Sequence, residues 1–442
     1  MHTTRQAAAF FAVVAGLSLA AAAQQQAPAQ QQPQRRKVSL REALQLAAKQ
    51  GPDVAAARAQ AAVVHAGVEK AWTAWQPDLS ATGTFDHTSA PAEIPAGVLG
   101  PNPITIVAPN TRLGTLQIAQ PLLSPQGIFL PGIANAASEA AARGADEQRE
   151  QILLAVARTY LNLQALEGLL NAAREAEQVA LRREQDARAQ ISAGTAVELA
   201  LLRAQTETAN ARVQIANFEG NNQSLWPLLE ALTGERVEPL PFGAAQEIPE
   251  VRQDEAEPWE NSHAVKSAIA AVVAAERSTR LDRFAWLPSV AAVARGNYNS
   301  NSGFAGTSTS YDLILNVTVP LYDRGQRYAQ LHEDEARLQE AQAQLASARA
   351  RARATWEGAR GNLSSAQVAL QQATIQAELA AKTQQQVDAS YRAGVATSLD
   401  LSDADQRKFL AQSAAAQART EVEVRKAELA VAAGSLYRVS QQ

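Results

Sequence analysis

The sequence contains no cysteine, and its only methionine is the initiator. Disulfides, thiolate metal sites and a cysteine nucleophile are therefore excluded, as is a methionine-based copper site. The five histidines are scattered without the spacing of metal ligands, and the GxSxG, P-loop and GxGxxG motifs are absent. These absences predict a protein that is not an enzyme and that binds no cofactor or metal.

Long apolar runs are also missing. After the N-terminal stretch no segment offers about 18 consecutive apolar residues, so we expect no transmembrane helix. The first residues have the pattern of a secretory signal, since Arg5 precedes an apolar stretch at 7–20 and small residues at 21–23 precede Gln24. We therefore predict a signal peptide at 1–23. The exported chain is then periplasmic, secreted or a β-barrel in the outer membrane.

Strong charge of either sign is lacking. The formal net charge is −4, and this mild acidity argues against a nucleic-acid partner. Residues 24–37 read QQQAPAQQQPQRRK, a low-complexity composition typical of disorder. We predict a disordered tail at 24–38, in which the basic trio at 35–37 is solvated.

What the chain does contain is an internal repeat of about 200 residues. Three short matches recur in the same order: Trp75-Gln76-Pro77 with Trp286-Leu287-Pro288, Pro121-Leu122 with Pro320-Leu321, and Ala193-Gly194-Thr195-Ala196 with Ala393-Gly394-Val395-Ala396. The repeat predicts two halves, at 39–234 and 260–437. A Pro- and Glu-rich connector at 235–259 separates them, and a C-terminal tail follows at 438–442.

Each half has the same predicted order of helix, strand, strand, long helix and shorter helix. The long helices are expected at 133–193 and 325–393, and in the first of them Leu153, Val156 and Tyr160 have the spacing of a coiled-coil seam. The two shorter helices of each half together match its long helix in length. Stacked end to end beside it, they would form columns roughly 90–100 Å long. Such columns suit a tube or a stalk.

Four segments alternate between apolar and polar residues, at about 78–88, 114–122, 289–299 and 311–321. Each has the length of a tilted strand that crosses an outer membrane. A half-buried sheet in a soluble domain also alternates, but four strands make a poor soluble core. Open sheet edges are not tolerated in lipid, and single-chain barrels start at about eight strands. Four strands can therefore close only with other subunits, and three copies would give twelve.

The sequence thus predicts a mainly α-helical fold with a transmembrane β portion. Each chain would contribute four strands to a β-barrel that it shares with other copies, and its helical columns would form a tube or a stalk. Trp72, Trp75 and Trp286 lie near the predicted helix–strand junctions, where aromatic residues at a membrane interface are expected. Packing into a core is an equally good interpretation of these three residues.

The ordered set of motifs resembles the TolC-like outer-membrane efflux and secretion channels. The resemblance covers nearly the whole mature chain and rests on the duplicated element order, on the motif at 75–79 and on the motif YRAGVATSLD at 391–400. It implies a homotrimer in the outer membrane, surrounded by lipid, with a twelve-stranded β-barrel to which each chain contributes four strands. A long α-helical barrel joined to it would extend into the periplasm. It also implies two partners: a periplasmic adaptor (membrane fusion) protein and, through it, an inner-membrane pump of the RND or ABC type.

Gly194 and Gly394 are suited to reverse a helix, because glycine tolerates the left-handed conformation. The resemblance implies that these two turns form the periplasmic tip. The resemblance implies that the adaptor docks there, on Gly194, Thr195, Gly394 and Val395. The spacing from Thr195 to Glu198 predicts a capping box, and Thr397 with Asp400 can play the same part in the second half.

Asp400 and Asp403 share one helix face. By resemblance they form acidic rings at the periplasmic constriction, which would favour cations. The alternative is that both simply favour the positive end of their helix. Asp405 is predicted to be a solvated residue of another face. The resemblance implies an arginine at the position of Ala396 that helps to lock the closed tip. This chain departs from that pattern, and Arg392 is a candidate substitute.

The predicted function is that of an outer-membrane channel subunit in a tripartite efflux pump, which exports small molecules. A channel of a type I polypeptide secretion system is the alternative, because the same tube serves both. A soluble periplasmic coiled-coil or adaptor protein is a more distant alternative. An adaptor would have one helical hairpin and many strands, and a coiled-coil protein would lack the alternating strands.

Overall fold

The computed structural model describes residues 35–98, 100–101, 103–194, 197–241, 248, 257–301 and 307–441. The predicted signal peptide and most of the predicted connector lie outside the described residues. So do Thr195 and Ala196 at the first tip turn.

The described part of the chain is mainly helical, and one order of elements occurs twice along it. The first half contains β1 (Arg36–Val38), α1 (Leu40–Gln50), α2 (Pro52–Trp72), β2 (Asp78–His87), β3 (Ala92–Ile94), β4 (Ile104–Val107), β5 (Asn110–Leu123), α3 (Pro125–Ser192), α4 (Glu198–Thr233) and β6 (Val237–Pro239). The second half contains α5 (His263–Arg283), β7 (Ser289–Asn299), β8 (Thr309–Thr318), α6 (Gln326–Arg392), α7 (Ser398–Ala432) and α8 (Leu436–Gln441). Helix α3 has 68 residues and α6 has 67, so each is about 100 Å long.

The main sheet has four antiparallel strands in the order β2-β5-β7-β8. Strand β2 follows α2 and β5 leads into α3, while β7 follows α5 and β8 leads into α6. The helices pack in the same lateral order next to the sheet, since α3 lies between α2 and α5, and α6 lies beyond α5. Farther away, α4 takes the place of α2 and α7 takes the place of α5. The chain is therefore a layer of four columns.

A hydrophobic core lies halfway along these columns, where α1, β1, β6 and α8 surround the middle of α3. Tyr160 of α3 is fully buried there; its hydroxyl donates to Val38 O (2.8 Å) and accepts from Leu240 N (3.1 Å). Leu153 and Val156 lie in the same core, as the predicted seam requires. Burial of each large apolar side chain of this kind contributes about 1.5–3 kcal/mol.

The predicted disorder at 24–38 is wrong for the last residues of that segment. Residues 36–38 form β1, which pairs in parallel with β6, and Val38 is fully buried. The basic residues at 35–37 are exposed, as predicted, and the Arg35 guanidinium also lies 4.0 Å from the centre of the Trp226 ring. At the other end, α8 begins at Leu436 in the second half and includes residues 438–441 of the predicted C-terminal tail. Low complexity predicted disorder, but the end of the tail supplies an edge for a strand in the connector.

The long helix of the first half begins at residue 125, eight residues before its predicted start. Ser124 caps it by accepting from Gly127 N (3.3 Å), and Pro125 occupies the first turn, where proline is tolerated. Pro131 therefore lies inside the helix. The predicted loop at 89–113 is also partly regular, because it contains the β3–β4 hairpin and the start of β5.

Candidate functional site

The four-stranded sheet has two chemically different faces. Because residues directly opposite each other in the pairing share a face, Leu79, Ile118, Ala294 and Leu313 form one apolar row, and Ala81, Leu116, Gly296 and Tyr311 form the next. The rows between them are polar, for example Ser80, Gln117, Arg295 and Asp312. The sheet therefore separates an apolar side from a polar one.

Neither face of the edge strands is covered within one chain. Every residue of β2 and of β8 is exposed, and Tyr311, Leu313 and Leu315 are among the most exposed large side chains. On the outer side of each edge strand, the row of backbone groups has no strand partner among the described residues. Such an edge is a template for pairing with another chain.

Hydrogen bonds connect the polar face across the strands. Arg295 donates to Gln117 Oε1 through Nε (3.2 Å) and Nη2 (3.0 Å). Asn297 Nδ2 donates to Asp312 Oδ2 (2.9 Å), and its Oδ1 accepts from Thr115 Oγ1 (3.4 Å). The network holds long polar side chains against a face that is otherwise open to solvent.

Trp75 occupies a 3₁₀ turn between α2 and β2 and ties that junction to the start of α3. Its indole Nε1 donates to Gly127 O (2.6 Å), and its ring packs against the Gly127 backbone. Trp72 is 53% exposed, whereas Trp286 packs on Tyr328 (ring centres 5.3 Å apart) and under the Arg327 guanidinium (4.6 Å). The three predicted interface tryptophans thus lie at helix–strand junctions, and their contact with lipid stays a prediction.

The tip turns have the predicted left-handed glycines. Gly194 has φ +73° and Gly394 has φ +74°, and a Cβ at either position would meet open space. Backbone bonds close the second turn, from Gly394 N to Tyr391 O (3.0 Å) and from Val395 N to Ser390 O (2.9 Å). Val395 is 83% exposed at the extremity of the hairpin.

The predicted first capping box is wrong in register. Helix α4 begins at Glu198, and its N-cap is Val197, whose side chain makes no capping bond, so Glu198 stands at the first helical position. In the second half Thr397 is the N-cap of α7, and its Oγ1 accepts from Asp400 N (3.3 Å). Asp400 Oδ2 accepts in return from Thr397 N (2.9 Å). Residues 197 and 397 are the equivalent caps, and only the second can use its side chain.

The two acidic residues of the predicted ring are exposed, but each has a partner within its own helix. Hydrogen bonds from the Thr397 side chain and backbone hold the pKa of Asp400 below its ordinary value. Asp403 accepts from Arg407 Nε (2.9 Å), one turn along α7. Arg392, the candidate lock, is likewise engaged by Asp388 of its own helix (2.8 Å). The acidic ring stays a prediction. The ion pair with Arg407 partly neutralises the charge that Asp403 would contribute to it.

Asp405 is not the solvated residue that was predicted. Its carboxylate binds Arg183 of α3, and the same guanidinium reaches Glu207 of α4 (3.5 Å). Arg183 thus connects the α3–α4 hairpin to α7, beside a cavity of about 480 Å³ that also contacts Tyr391 and Gln406. The sequence offers only a partial signal, because Asp405 directly follows Ala404 and is one turn from Leu401, and it does not identify Arg183 as the partner.

Within the described residues, no group of three or more acidic, histidine or cysteine side chains could hold a metal ion. None of the described helices is both long and apolar enough to cross a membrane.

Comparison with known proteins agrees with this architecture. The model of the outer membrane efflux protein family matches the chain twice, over residues 43–235 and 257–435. The chain therefore belongs to the outer membrane efflux protein family, and its location is the outer membrane. No curated protein sequence matches it.

Solved structures of outer-membrane channels share the fold at low sequence identity. CusC is 17% identical with a TM-score of 0.75, and the match covers 91% of this chain and 94% of CusC. CmeC of Campylobacter jejuni is 15% identical with a TM-score of 0.75, covering 89% and 85%. VceC of Vibrio cholerae is 17% identical with a TM-score of 0.72, covering 90% and 96%. The predicted fold class and family are confirmed.

Proposed function

We propose that three copies of the chain form a conduit across the outer membrane and the periplasm that exports small molecules and performs no catalysis of its own. The observation that carries the proposal is the four-stranded sheet, which has two open edges, two exposed faces and the same lateral order as the helical columns. One rotation that pairs β8 with β2 of the next copy also places α6 beside α2 and α4 of that copy. Three copies then close twelve strands and the helical tube together.

The two faces of the sheet fit this arrangement. The apolar rows, which include Leu313 and Tyr311, face lipid, and the polar rows, which include Arg295 and Asp312, line the lumen. The helical tube is about 100 Å long, which suits a periplasmic extension. The tip turns at Gly194 and Gly394 are its far end, where a periplasmic adaptor docks and connects it to an inner-membrane pump of the RND or ABC type.

The contact of Arg183 with Asp405 supports a role in keeping the tip narrow. It joins the two helical hairpins of one chain close to their turns, where this chain has Ala396 in place of the arginine that the family resemblance implies. Arg392 is occupied within its own helix. We therefore propose that Arg183, through its ion pair with Asp405, is the residue that holds α7 close to the α3–α4 hairpin and keeps the tip narrow.

The first test is the mass of the particle that mild detergent extracts from the outer-membrane fraction, where three chains per particle are expected. A water-soluble monomer or dimer would contradict the conduit and favour a coiled-coil protein.

Closure of the sheet can be tested with paired cysteines, because the chain has none of its own. Thr82→Cys on the β2 edge is combined in turn with cysteine at Ser310, Asp312 or Asn316 on the β8 edge. At least one pair should give a covalent trimer on a denaturing gel after oxidation. Thr115→Cys with Asn297→Cys is the matched control, because these positions face each other within one chain. If every edge pair, like the control, gives no covalent trimer, the sheet does not close between copies in this way.

Export of small molecules and secretion of polypeptides are distinguished in cells. The family description, outer membrane efflux protein, favours small molecules. A strain that lacks the chain should accumulate fluorescent dyes and regain efflux from a plasmid copy, with an unchanged set of secreted proteins. Loss of a secreted polypeptide with normal dye efflux would support the type I secretion alternative.

A further inference from the structure

Two carboxyl groups meet between α5 and α6, beneath the sheet. Asp282 lies at the end of α5, and its carboxyl group is hydrogen-bonded to that of Asp334, in the third turn of α6. The Oδ2 atom of Asp282 is buried and has no donor from the protein. Two ionised carboxylates can only accept hydrogen bonds, so their contact requires a proton on one of them.

The surroundings of Asp334 show which group carries that proton. Asp334 is 4% exposed, and it accepts from the Ser278 hydroxyl and from Arg337 Nη1 (3.1 Å). Thr279 Oγ1 also donates to its backbone carbonyl (3.4 Å). Donors to a carboxylate stabilise its ionised form, so Asp334 is the acceptor. Asp282, whose buried oxygen has no donor, carries the proton.

We propose that Asp282 and Asp334 share one proton, and that this makes the contact between α5 and α6 beneath the sheet responsive to pH. While the proton is present it joins the two helices. Once it is lost, two like charges face each other and the end of α5 is pushed away from α6. Strand β7 follows α5 directly, so the change is transmitted to the base of the sheet.

Other charges around the pair do not replace this proton. The pKa of Asp282 is raised to about 6, first by burial and then by the hydrogen bond to Asp334 and the charge of Asp334. The charge of Arg337 lowers this pKa and that of Glu333 raises it. Nearby, Arg283 pairs with Glu335 (3.5 Å) and Arg327 pairs with Asp323 (2.8 Å). Helix α3 contacts this end of α5 through the stacked rings of Phe129 and Phe284. Residues 125–138 of α3 include no titratable side chain.

The sign of the effect follows from the direction of the shift. The pKa of Asp282 is raised in the folded state above its ordinary value of 3.8. The folded protein therefore binds the proton more tightly than the unfolded chain does, and the stabilising contribution is complete below the ordinary pKa. It is lost as the pH rises through about 6. The contact is therefore tightest in acidic surroundings.

The test is hydrogen–deuterium exchange on the full-length particle in detergent, between pH 5 and pH 7.5. The wild type is compared with Asp282→Asn at each pH, so that the intrinsic pH dependence of exchange cancels. The asparagine amide donates to Asp334 at every pH. We expect equal exchange at pH 5 in the peptides at the end of α5 and the start of α6. At pH 7.5 we expect several-fold faster exchange in the wild type, with a midpoint near pH 6.

Glu335→Gln is the matched control, because it makes the same chemical change one residue from Asp334. It removes the ion pair with Arg283, but the ratio of its exchange to that of the wild type should be the same at every pH. If Asp282→Asn does not assemble, Asp334→Asn supplies the amide from the other side and should also abolish the pH dependence. A ratio of wild type to either variant that stays constant from pH 5 to pH 7.5 would overturn the proposal. So would a pH-dependent ratio of the wild type to Glu335→Gln.

Discussion

The indole N–H of Trp75 donates to the carbonyl oxygen of Gly127, at 2.6 Å. In a regular helix the N–H of residue 131 would donate to the Gly127 carbonyl. Residue 131 is a proline, which has no N–H, so the carbonyl lacks its helical donor. A residue of the turn before β2 thus completes the hydrogen bonding of α3. The junction of helix and sheet is built around a proline that would otherwise weaken the helix.

We expect Trp75→Phe to destabilise the protein by about 1–3 kcal/mol, because a partly buried carbonyl loses its donor. In a Pro131→Ala background the cost should be smaller, since the alanine N–H can serve the same oxygen. Thermal unfolding of the four proteins of this double-mutant cycle measures the difference. Trp72→Phe is the control, because this exposed indole has no corresponding bond among the described contacts. Equal costs in both backgrounds would show that Pro131 is unrelated to the bond.

Two glycines five residues apart in α3 should respond oppositely to alanine. A Cβ at Gly127 would lie 2.8 Å from Cε2 of the Trp75 ring, so Gly127→Ala should displace the indole and destabilise the junction. A Cβ at Gly132 would meet nothing within 4 Å, so Gly132→Ala should stabilise the helix by about 0.5–1 kcal/mol. Unfolding temperatures of the two variants, measured in one detergent, give the comparison. A stabilising Gly127→Ala would mean that the ring does not occupy this position.

How far the sequence predicts this molecule depends on the range of the interactions. Repetition and alternation are local patterns, and they predicted the duplicated element order, the strands and the left-handed turns at Gly194 and Gly394. The errors concern partners distant in sequence. Low complexity at 24–38 gives no sign that Val38 will pair beside a strand about 200 residues away. Pro131 alone predicts a break in the helix, because the sequence does not show that Trp75 donates a hydrogen bond to the carbonyl of Gly127. The contact of Asp405 with Arg183 joins two halves of the repeat, and no spacing within either half reveals it.

The tip carboxylates give a prediction about ion selectivity. Asp400→Asn with Asp403→Asn should weaken cation preference and any block by divalent ions, measured as a shift of the reversal potential in planar bilayers. Because the pKa of Asp400 is lowered, its charge and the stability linked to it persist until the pH falls below 3.8, so the wild-type preference should survive in mild acid. Asp388→Asn, near the end of α6, is the control for a general loss of negative charge. An unchanged reversal potential in the double variant would exclude the ring.

The second tip turn gives a prediction about docking. Proline fixes φ near −65°, whereas residue 394 has φ +74° and donates its N–H to Tyr391 O. Gly394→Pro should therefore rebuild the turn, leave the distant sheet folded and abolish export. Trimer yield and dye efflux measure the two effects separately. Val395→Ala is the milder companion, because it keeps the turn and removes only exposed apolar surface. Normal efflux in the proline variant would show that the adaptor docks elsewhere.

The restraint on α7 gives the last prediction. Arg183→Gln removes the guanidinium that α4 and α7 share through Glu207 and Asp405, so the two hairpins of a chain should separate more easily near the tip. We expect larger and longer single-channel openings in bilayers and greater sensitivity of cells to large antibiotics. Arg188→Gln is the matched control, since Arg188 is one and a half turns along the same helix and pairs only with Glu184 of α3 among the described ion pairs. Asp405→Asn should reproduce the effect of Arg183→Gln, and the two changes together should add little. If Arg183→Gln conducts like the wild type while Arg392→Gln opens the channel, the lock belongs to Arg392.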